Sequence, residues 1–515
     1  MSHDRTMAEL MSATVRRNRR SPALVDADRS MTYEEMFEWA ARLANVLRAN
    51  GLRQGDHVAV IAEDTVEGVA AYIGTWLAGC TVIHVNARHA PPEVRYVLED
   101  SGAKALLYTG GLEALVDAVD GLEDLAFVSS LDDREGSAFG TALRAAPTAP
   151  PAITTQAGDR AIVGYTSGTS GRPKGAIASH RAVVLCCRVA PYAFSMPLRS
   201  RMAYSGSLSF IGSVWAQVFP HLYIGGMVRL MGRYDVDTWF AAMREDRSTF
   251  TYLPTPLIPD FVERVKAEPG VLDHLAVVFH SGSLAPRPQV EALVDAIGGR
   301  YVETYGSTEM IGSATATTPA MYTGACEATD ILASAGTPIP GSEVWLERED
   351  GSRPTTGEEG EIVICADTSV DGYWNAPEKT AETFRGGAFH SGDVGFFDEA
   401  GFLYISGRRS ELIVSGGMNV YPAEVERVIL ADPAVRDAAV FGAPHPRWGE
   451  GVAAAIVREP GADLDAERVV EICLGQLASY KKPTKVVFVD ELPVNASRKV
   501  DKRALTARYG AADGS

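Results

Sequence analysis

The stretch YTSGTSGRPKG, Tyr165–Gly175, combines three glycines, two threonines, two serines and one lysine. The apolar segment AIVGY leads into it, and the apolar segment AIASHRAVVLCC that follows predicts a helix beginning near Ser179. A glycine-dense turn between ordered elements can direct several backbone N–H groups at one anion. The spacing is not that of a P-loop, because Lys174 lies between Pro173 and Gly175. The stretch predicts a phosphate-binding loop of another kind, with a purely structural turn as the alternative at this point. Its hydroxyl donors would be Thr166, Ser167, Thr169 and Ser170.

Length and composition bound the class of protein. At 515 residues the chain exceeds the roughly 250 to 300 residues at which one core stops growing, so we expect two or three domains. The formal net charge of −18 disfavours nucleic acid and anionic lipid as partners and favours a small anion in a local site. Six scattered cysteines without a CxxC pair predict neither a disulfide framework nor a zinc site. Because the sequence has no signal-peptide pattern and no membrane-length apolar run, we predict a cytoplasmic protein.

Alternating helical and strand-like patterns indicate an α/β fold. Residues 31–51 carry apolar residues at helical spacing and end on a glycine, and the next segment, HVAVIAE, is typical of a buried strand. The alternation recurs, which is the βαβ pattern of a largely parallel sheet. Residues 142–158 are rich in Pro, Ala and Thr and predict a connection to a second α/β unit that extends to about residue 330. Residues 336–405 predict a small β subdomain, and a separate compact α/β domain follows it.

Three further segments bear on the glycine-rich loop. They are YGSTEM (Tyr305–Met310), HSGDVGFFDEAGFLYISGRRSELIVSGGMNVYPAEVE (His390–Glu426) and NASRKVDKRAL (Asn495–Leu505). Together with YTSGTSGRPKGA, and in this order, they resemble the motifs of the adenylate-forming superfamily, and most of all its fatty-acyl and aryl-CoA ligase branch. The resemblance covers nearly the whole chain. It implies a large N-terminal domain of layered α/β subdomains plus a β subdomain, then a hinge and a small mobile C-terminal α/β domain. The implied boundaries are 1–406 for the large domain, 407–411 for the hinge with Ser410, and 412–515 for the small domain.

The resemblance implies a site for ATP and Mg²⁺. Asp393 matches the aspartate that holds the ribose hydroxyls, and Arg408 matches the arginine that accompanies it. Glu309 corresponds to the magnesium ligand, a role that suits a carboxylate because Mg²⁺ is a hard cation. Thr308 would donate to a phosphate oxygen, and Tyr305 would lie against adenine. A turn role for Asp393, helix capping by Thr308 and Glu309, and core packing of Tyr305 are the structural alternatives. The further residues that the resemblance assigns to ATP or AMP are Thr166, Ser167, Gly168, Thr169, Ser170, Gly171, Lys174, Ser283 and Gly306.

Lys499 is the candidate catalytic cation. Joining a carboxylate to the α-phosphate brings two anions together, and a fixed positive charge stabilises the charge that develops at transfer. Lys502, Arg498 and Arg503 lie nearby, and a basic run is usually a solvated surface. Only Lys499 stands where the motif of the superfamily requires a lysine, so the resemblance assigns catalysis to it, together with Thr308 and Glu309.

Two further subsites follow from the resemblance. The acyl pocket would be lined by Phe210, Trp215, Ser281, Gly282, Met310 and Gly312. Since Phe210 and Trp215 are apolar and no arginine is evident to pair a second carboxylate, we predict an apolar acid. CoA would be contacted by Gly416, Gly417, Trp448, Tyr480 and Lys482, and the two glycines would allow a close approach of the backbone to the pantetheine arm. Core packing of Trp448 and a solvated surface charge at Lys482 are equal alternatives.

The implied activity is that of an AMP-forming acyl-CoA ligase, with a carboxylic acid, ATP and CoA as small-molecule partners and Mg²⁺ as cofactor. The sequence departs from the superfamily at Phe210, where a histidine is usual, at Ser410 in the hinge, and at Arg498, where a glycine often precedes the lysine. These departures leave open an enzyme that runs only adenylation or only thioester formation. Two more functions stay open: an enzyme that loads a carrier protein, the less favoured acceptor, and a nucleotide sensor without turnover. No nucleic-acid or membrane partner is expected, and a homodimer is compatible with the sequence.

Overall fold

A computed structural model gives the structure of the chain. It describes residues 4–166, 173–232, 234–283, 285–324, 326–415, 418–495 and 499–510. The strands are β1 (Pro22–Val25), β2 (Ser30–Thr32), β3 (His57–Ile61), β4 (Thr81–Val85), β5 (Ala105–Tyr108), β6 (Phe127–Ser130), β7 (Arg160–Thr166), β8 (Lys174–Ser179), β9 (Arg201–Tyr204), β10 (Met227–Leu230), β11 (Phe250–Tyr252), β12 (Val277–Ser281), β13 (Tyr301–Tyr305), β14 (Thr315–Ala316), β15 (Thr337–Pro338), β16 (Ser342–Glu347), β17 (Gly360–Ala366), β18 (Phe384–Arg385), β19 (Ala388–Phe397), β20 (Leu403–Arg408), β21 (Ile413–Ser415), β22 (Met418–Val420), β23 (Val435–His445), β24 (Gly449–Arg458) and β25 (Lys485–Phe488).

The described helices alternate with these strands, and several of them begin at a capping residue. They are α1 (Met7–Asn18), α2 (Tyr33–Ala49), α3 (Val66–Leu77), α4 (Pro91–Ser101), α5 (Glu113–Asp117), α6 (Ala138–Ala145), α7 (His180–Ala193), α8 (Ile211–Ser213), α9 (Phe219–Tyr223), α10 (Val236–Glu245), α11 (Ile258–Ala267), α12 (Arg287–Ile297), α13 (Pro319–Thr323), α14 (Pro377–Thr383), α15 (Pro422–Ile429), α16 (Ala466–Gln476) and α17 (Lys502–Tyr509). Thr32 and Glu35 form a capping box at the start of α2. The Ser179 hydroxyl accepts from the Ala182 N–H at the start of α7, so the helix predicted near Ser179 is confirmed.

Two mostly parallel sheets form the N-terminal part. Among the described strands, six have the order β6-β5-β3-β4-β7-β8, in which β8 is antiparallel to β7. Nine others have the order β15-β14-β13-β12-β11-β9-β10-β1-β2, and the neighbours from β13 to β1 are parallel. The predicted α/β fold with a largely parallel sheet is confirmed.

One long-range pairing was not predicted, and one predicted boundary is corrected by the structure. β1 pairs in parallel with β10, with Leu24 opposite Val228, so a strand near the N-terminus joins the nine-stranded sheet. A pairing between residues so distant in sequence leaves no periodic pattern from which to predict it. The connection predicted over residues 142–158 begins only after α6, because Phe139 and Leu143 bury an apolar face of that helix and its alanines favour helix formation.

Two further sheets complete the fold. In the described part of the chain, β16–β20 form one five-stranded sheet and β21–β25 another. The first of these confirms the small β subdomain predicted over residues 336–405. A 3₁₀ turn, Arg409–Glu411, separates β20 from β21, and these two strands belong to different sheets. Over the residues that the structure describes, no helix is both long enough and apolar enough to cross a membrane.

Three buried histidines should make the folded state sensitive to acid. His84, His180 and His221 are at most 2% exposed, and burial lowers the pKa of each to about 4. The unfolded chain binds these protons near pH 6.5, so the free energy of unfolding falls as the pH falls from 6.5 to 4. At about 1.4 kcal/mol per pKa unit, each histidine removes roughly 3 kcal/mol over this window.

We therefore expect the thermal midpoint, followed by circular dichroism, to fall between pH 7 and pH 4.5. His221→Leu should reduce the steepness of this fall, because the buried ring no longer titrates. His274→Gln, a change at an exposed position, should leave the pH dependence as it is. The same steepness in wild type and His221→Leu would contradict the assignment.

Candidate active site

The carboxyl ends of the two parallel sheets meet at one crevice. The segment after β9 is fixed to the other sheet by two hydrogen bonds, one to the connection after β3 and one to β4. The Leu208 N–H donates to Asp64 Oδ1 at 2.6 Å, and His84 Nε2 lies 3.0 Å from the carbonyl oxygen of Ser209. Burial raises the pKa of Asp64 to about 7. In open α/β sheets, ligands bind outside the carboxyl ends of the strands, so this crevice is the candidate active site.

β12 and β13 deliver neighbouring segments to the crevice. The two strands are parallel with Ser281 opposite Thr304, so residues 281–283 and 305–308 leave the sheet side by side. Gly306 has to be a glycine, because a Cβ there would lie 2.0 Å from the carbonyl oxygen of Gly312. The backbone of YGSTEM therefore packs directly on the turn that follows it.

A carboxylate, a phenol and a guanidinium form the first polar cluster. Asp393 Oδ2 accepts from the Tyr305 hydroxyl at 2.7 Å, and Asp393 Oδ1 accepts from Arg408 Nε at 2.9 Å. Burial raises the pKa of Tyr305, and the nearby carboxylate of Asp393 raises the pKa of Arg408. Asp393 lies inside β19, opposite Arg408 on β20, so it belongs to a strand and not to the turn given as the structural alternative. Each oxygen of Asp393 keeps a lone pair for one further donor, which suits a pair of hydroxyls.

A second cluster surrounds the half-buried Glu309. The Tyr373 hydroxyl donates to Glu309 Oε1 at 2.7 Å, and Lys174 Nζ lies 5.7 Å from the centroid of the Tyr373 ring. Burial lowers the pKa of Lys174, and Glu309 acts against this shift. One carboxylate fits Mg²⁺, which commonly takes one or two carboxylates and completes its shell with water and substrate phosphates. Sequence analysis missed Tyr373, because nothing in its neighbourhood in the sequence marks it as a partner of Glu309.

Lys499 reaches both clusters from the C-terminal part of the chain. Its backbone N–H donates to Asn495 Oδ1 at 3.1 Å, and its carbonyl oxygen accepts from the Asn495 N–H at 2.8 Å, so the backbone of Lys499 is held against Asn495. The side chain is exposed, but partial desolvation and the positive charge of Arg408 lower the pKa of the Lys499 ammonium. Asp393 and Glu309 are close enough to act against that shift. The structure thus places the predicted catalytic lysine within electrostatic range of the two predicted ATP-site carboxylates.

The basic residues that follow Lys499 in the sequence do not share its surroundings. Lys502 Nζ lies 2.8 Å from a carboxylate oxygen of Glu411 and 2.9 Å from one of Glu426, so its charge is paired within the structure. Arg503 is exposed.

Several predicted residues lie outside the described residues or, for Thr166, have only the backbone described: Thr166, Ser167, Gly168, Thr169, Ser170, Gly171, Gly416, Gly417 and Arg498.

Trp215, one of the residues predicted for the acyl pocket, lies in a π-helix, Val214–Val218. Trp215 in this helix is fully buried. The Cys186 thiol lies 3.6 Å from the carbonyl oxygen of Trp215 and 3.1 Å from that of Ile311. The π-helix is therefore joined to the turn that contains Met310 and Gly312. Gly282 and Ser283 are exposed just after β12.

Phe210 has a charged neighbour that sequence analysis did not find. The guanidinium carbon of Arg88 lies 5.0 Å from the centroid of the Phe210 ring, within the range of a cation–π interaction. We expected no arginine in this region. Arg88 follows β4 in the six-stranded sheet and Phe210 follows β9 in the nine-stranded sheet, so only the meeting of the two sheets brings them together.

The residues predicted for CoA lie on the C-terminal unit. The half-buried Trp448 stacks on His445, with 4.2 Å between ring centroids and 11° between ring planes. Tyr480 is 37% exposed, and Lys482 Nζ donates to the carbonyl oxygen of Ser479 at 3.2 Å. Ser410 is exposed in the 3₁₀ turn before β21.

Comparison with known proteins identifies the family. A family model described as AMP-binding enzyme matches residues 11–374, and one described as AMP-binding enzyme C-terminal domain matches residues 424–499. The chain belongs to the AMP-binding enzymes. The resemblance to the adenylate-forming superfamily is thereby confirmed, and the enzyme carries both parts of the family pattern.

Relatives and solved structures of several activities are similar to the enzyme over nearly the whole chain. Long-chain-fatty-acid–CoA ligase FadD13 of Mycobacterium tuberculosis is 32% identical over 488 residues, which cover 94% of each chain. Feruloyl-CoA synthase of Amycolatopsis sp. is 32% identical over 508 residues, or 97% of this chain and 99% of the relative. ATP-bound MatB from Rhodopseudomonas palustris has a TM-score of 0.89 at 28% identity, covering 98% and 99% of the two chains. The amide bond synthetase McbA from Marinactinospora thermotolerans has a TM-score of 0.87 at 26% identity, covering 98% and 100%.

Proposed function

We propose that the enzyme is an AMP-forming acyl-CoA ligase that acts on an apolar carboxylic acid. The observation that carries the proposal is the approach of Lys499 to Asp393, Arg408 and Glu309, residues drawn from distant parts of the chain. The similarity to a fatty-acyl-CoA ligase and an aryl-CoA ligase over nearly the whole chain supports CoA as the acceptor.

The first half-reaction joins the acid to the nucleotide. A carboxylate oxygen of the acid attacks the α-phosphorus of ATP, and the bond between that phosphorus and the bridging oxygen of pyrophosphate breaks. Asp393 holds the ribose, with Arg408 and Tyr305 fixing its carboxylate. Mg²⁺, held by Glu309, would neutralise charge on the phosphates. The Lys499 ammonium stabilises the negative charge that develops between acid and phosphate, so catalysis depends on positioning and charge and not on an enzyme nucleophile.

The second half-reaction transfers the acyl group. The CoA sulfur attacks the acyl carbon, AMP leaves with the bonding electrons, and the thiol proton passes to solvent. We assign residues 1–406 to the large domain, 407–411 to a hinge at Ser410, and 412–515 to a small domain that turns between the two steps. In this assignment Lys499 acts in the first step. The second step uses the residues that contact CoA, which are Gly416, Gly417, Trp448, Tyr480 and Lys482.

Isotope exchange between pyrophosphate and ATP tests the proposal without CoA. Pooled apolar carboxylic acids should support exchange, and dividing the pool then identifies the acid. If a broad pool gives no exchange, synthetic acyl-adenylate with CoA is the next substrate, and thioester formed from it would indicate an enzyme restricted to the second half-reaction. Tight ATP binding with neither activity would instead indicate a sensor.

A further inference from the structure

A buried pair of ionisable side chains lies directly beneath the crevice. His280 on β12 is 0% exposed and Glu303 on β13 is 9% exposed. His280 Nδ1 lies 2.8 and 3.0 Å from the two carboxylate oxygens of Glu303, and the Tyr301 hydroxyl also donates to Glu303. A buried carboxylate is costly unless it is paired and hydrogen-bonded, so this pair is expected to be well ordered.

Further hydrogen bonds connect this pair to the surface of the crevice. His280 Nε2 lies 2.8 Å from Thr255 Oγ1, and Thr255 Oγ1 lies 2.7 Å from Ser283 Oγ. Ser283 is exposed after the carboxyl end of β12. An unbroken chain of hydrogen bonds therefore runs from the buried Glu303 to a hydroxyl in the candidate ATP site.

The buried carboxylate determines which group donates in each of these hydrogen bonds. A carboxylate only accepts, so His280 Nδ1 carries a proton. When Nε2 accepts, Thr255 donates to it and Ser283 donates to Thr255, which leaves only lone pairs on the Ser283 oxygen for a ligand. When Nε2 also carries a proton, Thr255 donates to Ser283, and the Ser283 proton is directed into the crevice. A phosphate oxygen only accepts hydrogen bonds, so its binding favours the arrangement in which the Ser283 hydroxyl donates into the crevice.

We propose that His280 and Glu303 are positioning residues that orient the Ser283 hydroxyl, through Thr255, toward a phosphate oxygen of the bound nucleotide. The inference rests on the proposed function, because it takes Ser283 as part of the nucleotide site. It assigns a role to a buried pair that neither the sequence motifs nor the half-reactions above use.

The test is a double-mutant cycle on His280→Gln and Ser283→Ala in the full-length enzyme. The readouts are AMP affinity by calorimetry and kcat/KM for ATP in pyrophosphate exchange. Loss of one hydrogen bond to a charged group should lower both about tenfold in each single variant. In the Ser283→Ala background, His280→Gln should cost less than a further twofold. An equal effect of His280→Gln in both backgrounds would overturn the inference.

Matched variants separate positioning from loss of stability. Thr255→Val breaks the chain in its middle and should reproduce the kinetic loss even if His280→Gln does not fold. Thr251→Val is the control, because Thr251 is a fully buried hydroxyl on β11 that donates to the Ala203 carbonyl oxygen and accepts from Trp239. It should lower the thermal midpoint and leave the kinetics unchanged. Kinetic losses in Thr251→Val equal to those in Thr255→Val would overturn the inference. Absence of exchange in wild type would overturn the proposed adenylation, whereas unchanged AMP affinity in His280→Gln and Ser283→Ala would overturn the inference alone.

Discussion

Replacing Lys499 with alanine should slow acyl-adenylate formation by about 100- to 1000-fold, the effect typical of removing one charge-stabilising group from an active site. The reason is electrostatic, since Lys499 lies within range of the charges of Asp393 and Glu309, where we propose that the acid meets the nucleotide phosphate. Conversion of synthetic acyl-adenylate and CoA to thioester should persist, because that step needs no cation between two anions. Pyrophosphate exchange measures the first step, and thioester release from the adenylate measures the second.

Arg503→Ala is the matched control for this prediction. Arg503 is a basic residue of the same segment with an exposed side chain, and its removal should leave both rates near those of wild type. Equal losses of both half-reactions in Lys499→Ala would contradict a role restricted to adenylation. An unchanged exchange rate would remove Lys499 from the mechanism.

Asp393→Ala should raise the KM for ATP by about 100-fold. Two hydrogen bonds to an ionised group are lost, and each is typically worth about 1.5 to 3 kcal/mol. The change also leaves Arg408 without the carboxylate that lies 2.9 Å from its Nε. Initial rates of exchange at varied ATP concentration measure the effect, and the KM for the acid should change much less.

Asp398→Ala provides a control from the same strand region. Asp398 is buried like Asp393, but it accepts from the backbone N–H groups of Thr329 and Phe402, both at 2.9 Å, and so holds a turn. Its removal should lower the thermal midpoint without a specific rise in the KM for ATP. A similar KM in Asp393→Ala and wild type would contradict the ribose assignment.

The features that could be predicted from the sequence are those set by local chemistry. The helix after Ser179 follows from a capping hydroxyl and an apolar face, and the parallel sheets follow from alternating helix and strand patterns. The superfamily motifs led to Asp393, Arg408, Glu309 and Lys499, which the structure brings near one another.

The features that could not be predicted depend on contacts between distant segments. Tyr373 donates to Glu309, and Arg88 lies over Phe210, but neither partner has a sequence pattern of its own. The pair of His280 and Glu303 forms because β12 and β13 are adjacent in the sheet, and their side chains meet only once that register is known.

The most direct test of the central claim is product analysis of the wild-type enzyme with ATP, Mg²⁺, CoA and the acid identified by exchange. We expect AMP and acyl-CoA in equal amounts by mass spectrometry and chromatography, with no ADP. Formation of ADP, or adenylate that accumulates and is discharged only by a carrier protein or an amine and not by CoA, would contradict it.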